Sequence, residues 1–203
     1  MSEEMILKDE PIWELEYSLT NADEDFSYRL FQKKYVYKKC LRTSLLFLIP
    51  LALSLYQVIN KPDYMMGWAL VAICIAIIVM QWVNQKIIRK NLLEALLAIE
   101  GDKYKFSLFE DGFEVSTIGF IEDLENNEDA DEDEEETPLP PPATYKFFDY
   151  EIEAVESADY FILFLIEQKT YYVLPKRFMN EEKISFLSEF LLRKLEANYK
   201  KEN

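Results

Sequence analysis

The residues with the clearest chemical potential in this 203-residue chain are cations. Arg29, Lys33, Lys34, Lys38, Lys39 and Arg42 fall in one stretch, Lys86, Arg89 and Lys90 in a second, and Lys176 and Arg177 stand side by side. Clustered Lys and Arg hold anions through charge-assisted hydrogen bonds. Lys38, Lys39, Arg42, Lys86, Arg89, Lys90, Lys176 and Arg177 are therefore the candidate contacts for an anion or a lipid headgroup. Lys176 and Arg177 follow an expected strand and precede an expected helix, where backbone N–H groups also favour an anion; solvated charges at a turn are the plainer reading. The usual catalytic groups are missing. There is no histidine, which removes the commonest general base, the commonest metal ligand and every Ser-His or Cys-His device. The four glycines form no phosphate-cradling motif. No catalytic residue, metal site or cofactor is expected, and the chain reads as a non-enzyme. Chemistry by carboxylates alone is the weaker alternative.

Acidic residues dominate the total charge of −16, but they are local: eleven of the fifteen residues from Glu122 to Glu136 are Asp or Glu. Without them 27 acidic residues face 22 basic ones. The run lacks the ordered spacing and turn glycine of a calcium loop. Pro138, Pro140, Pro141 and Pro142 close it, and a self-repelling stretch that cannot bury apolar surface is expected to be disordered. Nucleic acid is not an expected partner, because phosphate binding needs a dominant basic surface.

Two apolar runs must position the basic clusters. Thr43–Ile59 and Tyr64–Gln85 carry no charge, and only Asn60, Lys61, Pro62 and Asp63 separate them. A helix of roughly 20 apolar residues crosses a bilayer, so the pair reads as a transmembrane hairpin with spans 43–59 and 64–85. Pro50 is tolerable inside such a span. Tyr56, Tyr64, Trp68 and Trp82 fall near the expected interfaces. Nine basic residues flank the hairpin and one lies in its turn. Basic flanks stay inside, which places both termini in the cytoplasm and the turn outside. The opening MSEEMILKDEP has no apolar core and does not read as a secretory signal. Cys40 and Cys74 sit at different depths, so no disulfide is expected between them; Cys40 reads as an unmodified thiol, with acylation as the alternative. Ala72-x-x-x-Ala76 permits close helix approach, which leaves a homo-oligomer open.

The remaining segments alternate in ways that predict a small sheet. Ile12–Leu19 reads as a strand, and Thr20 or Asn21 caps a helix that continues through the basic patch. Helical spacing carries the second span on to Glu100, with Gly101 as its stop. Lys103–Leu108 and Phe113–Ser116 form a hairpin around Asp111-Gly112, read as a turn that needs positive φ. Strands follow over 150–155, 160–167 and 170–174, the middle one apolar on both faces and so central. Asn180 caps a last helix with an apolar stripe of Ile184, Leu187, Leu191 and Leu195. The fold class is α+β: a transmembrane hairpin plus a small cytoplasmic antiparallel sheet closed by a C-terminal helix. The expected divisions are 1–40 for an N-terminal strand and helix, 41–86 for the hairpin, and 87–203 for the sheet domain with a disordered acidic loop over 118–143.

This order of parts resembles the YcxB-like family of bacterial membrane proteins. The resemblance runs through Glu16-Tyr17-Ser18-Leu19-Thr20, the two joined spans, Tyr104-x-Phe106 before Glu110-Asp111-Gly112, Tyr150-Glu151-Ile152, and Tyr172-Val173-Leu174-Pro175-Lys176-Arg177. It implies no assigned activity and no catalytic residues, and it suggests a pleckstrin-homology-like cytoplasmic part. The long acidic loop departs from it. The functional expectation is a non-enzymatic integral protein of the inner membrane that presents an interaction or sensing domain at the cytoplasmic surface. Membrane lipid and an unidentified protein are its expected partners. An accessory subunit of a transport or export complex is the alternative.

Overall fold

The computed structural model describes residues 10–97, 100–120 and 139–202. The acidic run lies outside the described residues. The chain divides into a helical unit, Tyr28–Ala95, and a sheet unit built from residues up to Ser27 together with those from Leu96 onward.

The sheet unit contains two four-stranded sheets. The first has the order β1 (Trp13–Ser18), β2 (Lys103–Leu108), β3 (Gly112–Gly119), β4 (Ala143–Lys146), with every neighbour antiparallel. The second has the order β7 (Thr170–Pro175), β6 (Tyr160–Leu165), β5 (Ile152–Glu156), β8 (Tyr199–Lys201). Its first three strands are an antiparallel meander, and β8 runs parallel to β5. One core joins the sheets. Trp13, Leu15, Phe106, Leu108 and Phe113 meet Ile152, Phe161, Leu163 and Leu174, and Leu187, Phe190 and Leu191 of helix α4 (Glu181–Leu195) close it. Phe106 and Phe113 stack at 5.2 Å. β6 is interior to its sheet and Phe161 to Leu165 are all buried, as expected for a strand apolar on both faces. Asn180 caps α4 by accepting from the Lys183 N–H at 2.8 Å, and Glu181 and Glu182 occupy the positive end of the helix.

Several expectations change. The N-terminal strand is not part of a separate segment over 1–40: its Ser18 pairs with Lys103 and its Trp13 with Leu108. β4 and β8 carry no signal in the sequence, because four and three residues are too short to show a period. β3 runs on to Gly119 and β4 starts at Ala143, which narrows the expected 118–143 loop at both ends. Asp111-Gly112 is not a positive-φ turn; among the described glycines only Gly101 has positive φ. Gly112 instead begins β3, and a Cβ there would lie 2.2 Å from the Tyr145 carbonyl oxygen. The glycine permits close approach of β4.

The helical unit is a hairpin. Helix α1 (Asn21–Phe31) enters it through a π-helical turn at Gln32–Val36 and continues as α2 (Tyr37–Asn60); α3 (Met65–Leu96) returns. Both are long and apolar enough to cross a membrane. Burial follows one narrow stripe on each. On α2, Cys40, Ser44, Ser54 and Val58 are buried, with half-buried Phe47 and Leu51 between them. On α3, Gly67, Val71 and Cys74 are buried and Ile78, Gln81 and Gln85 half-buried. Both stripes step by four and three residues, the spacing of a two-helix seam. Val58 fills the space left by Gly67, where a Cβ would lie 2.6 Å from its Cγ2. At the other end the Gln32 side-chain amide donates to the Gln85 carbonyl at 3.0 Å, and Trp82 Nε1 donates to Ser44 Oγ at 3.2 Å.

Candidate functional site

Lys176 and Arg177 follow Pro175 in a 3₁₀ turn between β7 and α4. Each cation turns onto a buried carboxylate of the sheet unit. Lys176 Nζ donates to Glu156 Oε1 at 2.9 Å and to the Ser157 carbonyl at 2.6 Å, and it lies 4.7 Å from the Phe161 ring centroid. The Arg177 fork donates to both Asp23 oxygens at 2.7 Å and to the Ser18 carbonyl at 3.1 Å. The anions that these residues hold are therefore internal. Carboxylates from two distant stretches of the chain thus take up donors of Lys176 and Arg177 that the sequence offers to an exogenous anion.

Asp23 is 2 % exposed. Thr20 is the N-cap of α1, and the two residues form a reciprocal box: Asp23 Oδ2 accepts from the Thr20 N–H at 2.8 Å and from its hydroxyl at 2.9 Å, while the Asp23 N–H reaches Thr20 Oγ1 at 3.4 Å. Tyr160 donates to Asp23 Oδ1 at 2.8 Å. Burial favours the neutral acid, but the Arg177 fork and these further donors outweigh it and hold the carboxyl well below the usual aspartate range. Burial and the adjacent carboxylate push the Tyr160 hydroxyl up to about 12. Neighbouring Glu24 shifts the other way. Its burial raises the pKa, although Tyr171 donates to it at 3.0 Å.

Glu156, at the end of β5, is also 2 % exposed. Burial opposes its charge, but Tyr199, Lys176, Lys201 and Ser188 all donate to it and bring its pKa down to about 2. Lys201 pairs with it at 3.0 Å and Ser188 at 2.9 Å, and the Tyr199 hydroxyl bonds directly to Oε2. These groups fasten β8 to β5, aided by Lys200 on Glu153 at 2.9 Å.

The other predicted cations share one end of the helical unit. Lys38, Lys39, Arg42, Lys86 and Lys90 are exposed and Arg89 is half-buried. Lys90 pairs with Glu94 one turn on, at 3.4 Å. Tyr37 and Trp82 meet at the same level with ring centroids 5.8 Å apart. Cys40 is a free thiol buried in the seam, so acylation there is not sterically open. Ala72 and Ala76 are exposed and lie off that seam.

The arrangement neutralises charge within the sheet unit. The donors around Asp23 and Glu156 are hydrogen-bonded to them, and among the described residues no group of three His, Cys, Asp or Glu is placed to hold a metal. In the sequence Asp23 reads only as an acid in the first turn of a helix, and Glu156 is not a candidate site residue. The Thr20-x-x-Asp23 spacing is a readable capping signal, but it does not disclose an arginine 154 positions away. Glu156 carries no local signal, because only the strand pairing turns it inward.

A family model described as YcxB-like protein matches residues 148–191. No curated protein matches the chain, and no solved structure does. The chain therefore carries a YcxB-like region that includes β5, β6, β7, the Lys176–Arg177 turn and most of α4, with Asp23 lying outside it.

Proposed function

We propose that this chain is an integral membrane protein whose hairpin spans the lipid and holds the sheet unit at the cytoplasmic surface, as an interaction or sensing module without a reaction of its own. One observation carries the reading. Each long helix buries a single seam, while the apolar residues around it stay open: Leu46 is 64 % exposed, Ile49 62 % and Met80 63 %. Water does not tolerate so much contiguous apolar surface, and lipid does. The pairing of Ser18 with Lys103 adds to this. The chain leaves the sheet at one end of that pair and re-enters at the other, so both flanks of the hairpin belong on one side of a membrane. The basic flanks favour the cytoplasmic side. An antiparallel four-stranded sheet, then a three-stranded meander, then a closing helix is also the element order of a pleckstrin-homology-like domain, into which the hairpin enters as the β1–β2 connection. The missing histidine removes the commonest catalytic devices, and the internal neutralisation of Lys176 and Arg177 gives those cations a structural role.

The test replaces both spans with unrelated apolar helices and compares the proteins cross-linked to each form in cells. The proposal expects the same cross-linked partners, because the sheet unit does the binding. Their loss would favour a transport or export subunit whose spans are the working part.

A further inference from the structure

We propose that one face of the helical hairpin, the Tyr37–Trp82 face, is a docking site for the headgroup of an anionic phospholipid held by Lys33, Lys86 and Lys90. The assignment rests on the membrane reading above and specifies which lipid chemistry the hairpin selects and where.

Tyr37 and Trp82 are 37 % and 39 % exposed and lie 5.8 Å apart with their planes inclined by 32°. Their polar tips are already engaged, Tyr37 Oη with Gln32 Oε1 at 3.3 Å and Trp82 Nε1 with Ser44 Oγ. The two rings thus form a fixed shelf across both helices, of the kind that sits at the boundary between headgroups and acyl chains. Lys86 and Lys90 follow Trp82 at four-residue steps, which places them on the same face of α3. Lys33 lies one turn before Tyr37. All three lysines are exposed. No ion pair holds Lys33 or Lys86 among the described residues, and the Lys90–Glu94 pair is open to water, where such a pair contributes little and yields to a stronger anion. From Tyr28 to Ala95 the sequence has two acids, Asp63 in the distant turn and Glu94, so little opposes an anion at this end. On the other side of the rings, Val79 is 53 % exposed three residues before Trp82 and continues the face in apolar form. A phosphate among the lysines and an acyl chain along Val79 match a phospholipid and not a soluble anion. Lys38 and Arg42 are each two residues from the seam residue Cys40, about 200° around the helix, so they lie on the back of α2 and outside this site.

The full-length protein in neutral detergent, offered phosphatidylglycerol and phosphatidylcholine with identical acyl chains, tests the site by native mass spectrometry. Phosphatidylglycerol is expected to be retained on the order of tenfold more strongly, given the attraction of several basic side chains to an anionic headgroup. The triple variant Lys33→Gln, Lys86→Gln, Lys90→Gln is expected to reduce that preference to about twofold, while Lys38→Gln, Lys39→Gln, Arg42→Gln, which removes the same charge from elsewhere at this end of the hairpin, preserves it. An unchanged preference in the first variant overturns the inference, and so does an equal loss in both, which would mean a diffuse field. Displacement of the lipid by inorganic phosphate would name a soluble anion and overturn it too. Flotation with phosphatidylcholine vesicles separates the two levels. Protein that floats without headgroup preference overturns this inference alone, whereas protein that fails to float overturns the membrane reading with it.

Discussion

Asp23→Ala is expected to destabilise the sheet unit by about 3 kcal/mol, the order expected when one partner of a buried ion pair is removed. The loss has three physical parts. The Arg177 fork loses both acceptors, Tyr160 loses its partner, and α1 loses the reciprocal half of its N-terminal box. Arg177 is 43 % exposed, so water recovers part of the cost and the effect stays at the lower end of the range for buried pairs. The loss corresponds to roughly 10 °C in melting temperature for a domain of this size, measurable by circular dichroism of the full chain in detergent. Asp23→Asn should come close to the alanine variant, because the amide cannot accept the full fork. The pH dependence has a definite sign. The folded-state pKa of Asp23 lies below its ordinary value, so the stabilisation is complete above the ordinary aspartate range and drains away as the pH falls below it. The two variants should therefore differ most from the parent at neutral pH and least in strong acid. A wild-type melting temperature in Asp23→Ala at pH 7 would show that the clasp contributes nothing.

Glu156→Ala is expected to cost about 3 kcal/mol and to release the last strand. Its carboxylate is the common acceptor for Lys176, Lys201, Tyr199 and Ser188. Removing it leaves Lys176 facing the Phe161 ring without its carboxylate and removes two contacts that hold Tyr199–Lys201 on β5. Amide hydrogen exchange across residues 199–202 should accelerate well beyond the global change, because three residues of parallel pairing are too few to persist alone. Glu156→Gln should be milder, keeping the Tyr199 and Ser188 contacts at about half the cost. The folded pKa of Glu156 is about 2, below the ordinary glutamate value, so its contribution is present at neutral pH and is lost as the pH falls through the usual glutamate range towards 2. Stability curves of the parent and Glu156→Gln should converge over that interval. Unchanged exchange at residues 199–202 in Glu156→Ala would contradict the account of β8.

What was legible in the sequence had a period. The two long apolar helices, the cap at Asn180 and the two-sided burial of Phe161–Leu165 follow from composition, spacing and one side chain, and the structure has each of them. What has no local signal depends on distant partners. β1 reads as a lone strand until its pairing with β2 brings Trp13 opposite Leu108 across the whole hairpin. β4 and β8 are too short to show alternation. Asp111-Gly112 reads as a positive-φ turn because Asp-Gly so often is one, whereas the crowding that requires the glycine comes from Tyr145. The basic residues at 176 and 177 were legible as cations, but the acids that neutralise them lie at 23 and 156, and no local pattern announces a buried carboxylate. The seam is partly visible: the apolar runs are obvious, yet which residues face inward emerges only when 40, 44, 47, 51, 54 and 58 meet 67, 71, 74, 78, 81 and 85.

The most direct test of the account is the sidedness of three single cysteines, introduced one at a time in a chain whose Cys40 and Cys74 have been replaced by alanine. An impermeant maleimide applied to intact cells should label Lys61→Cys at once, and should label Glu10→Cys and Glu202→Cys only after the membrane is permeabilised. The account would be contradicted if Lys61→Cys stayed protected in intact cells, or if residues 10 and 202 reported from opposite sides of the membrane.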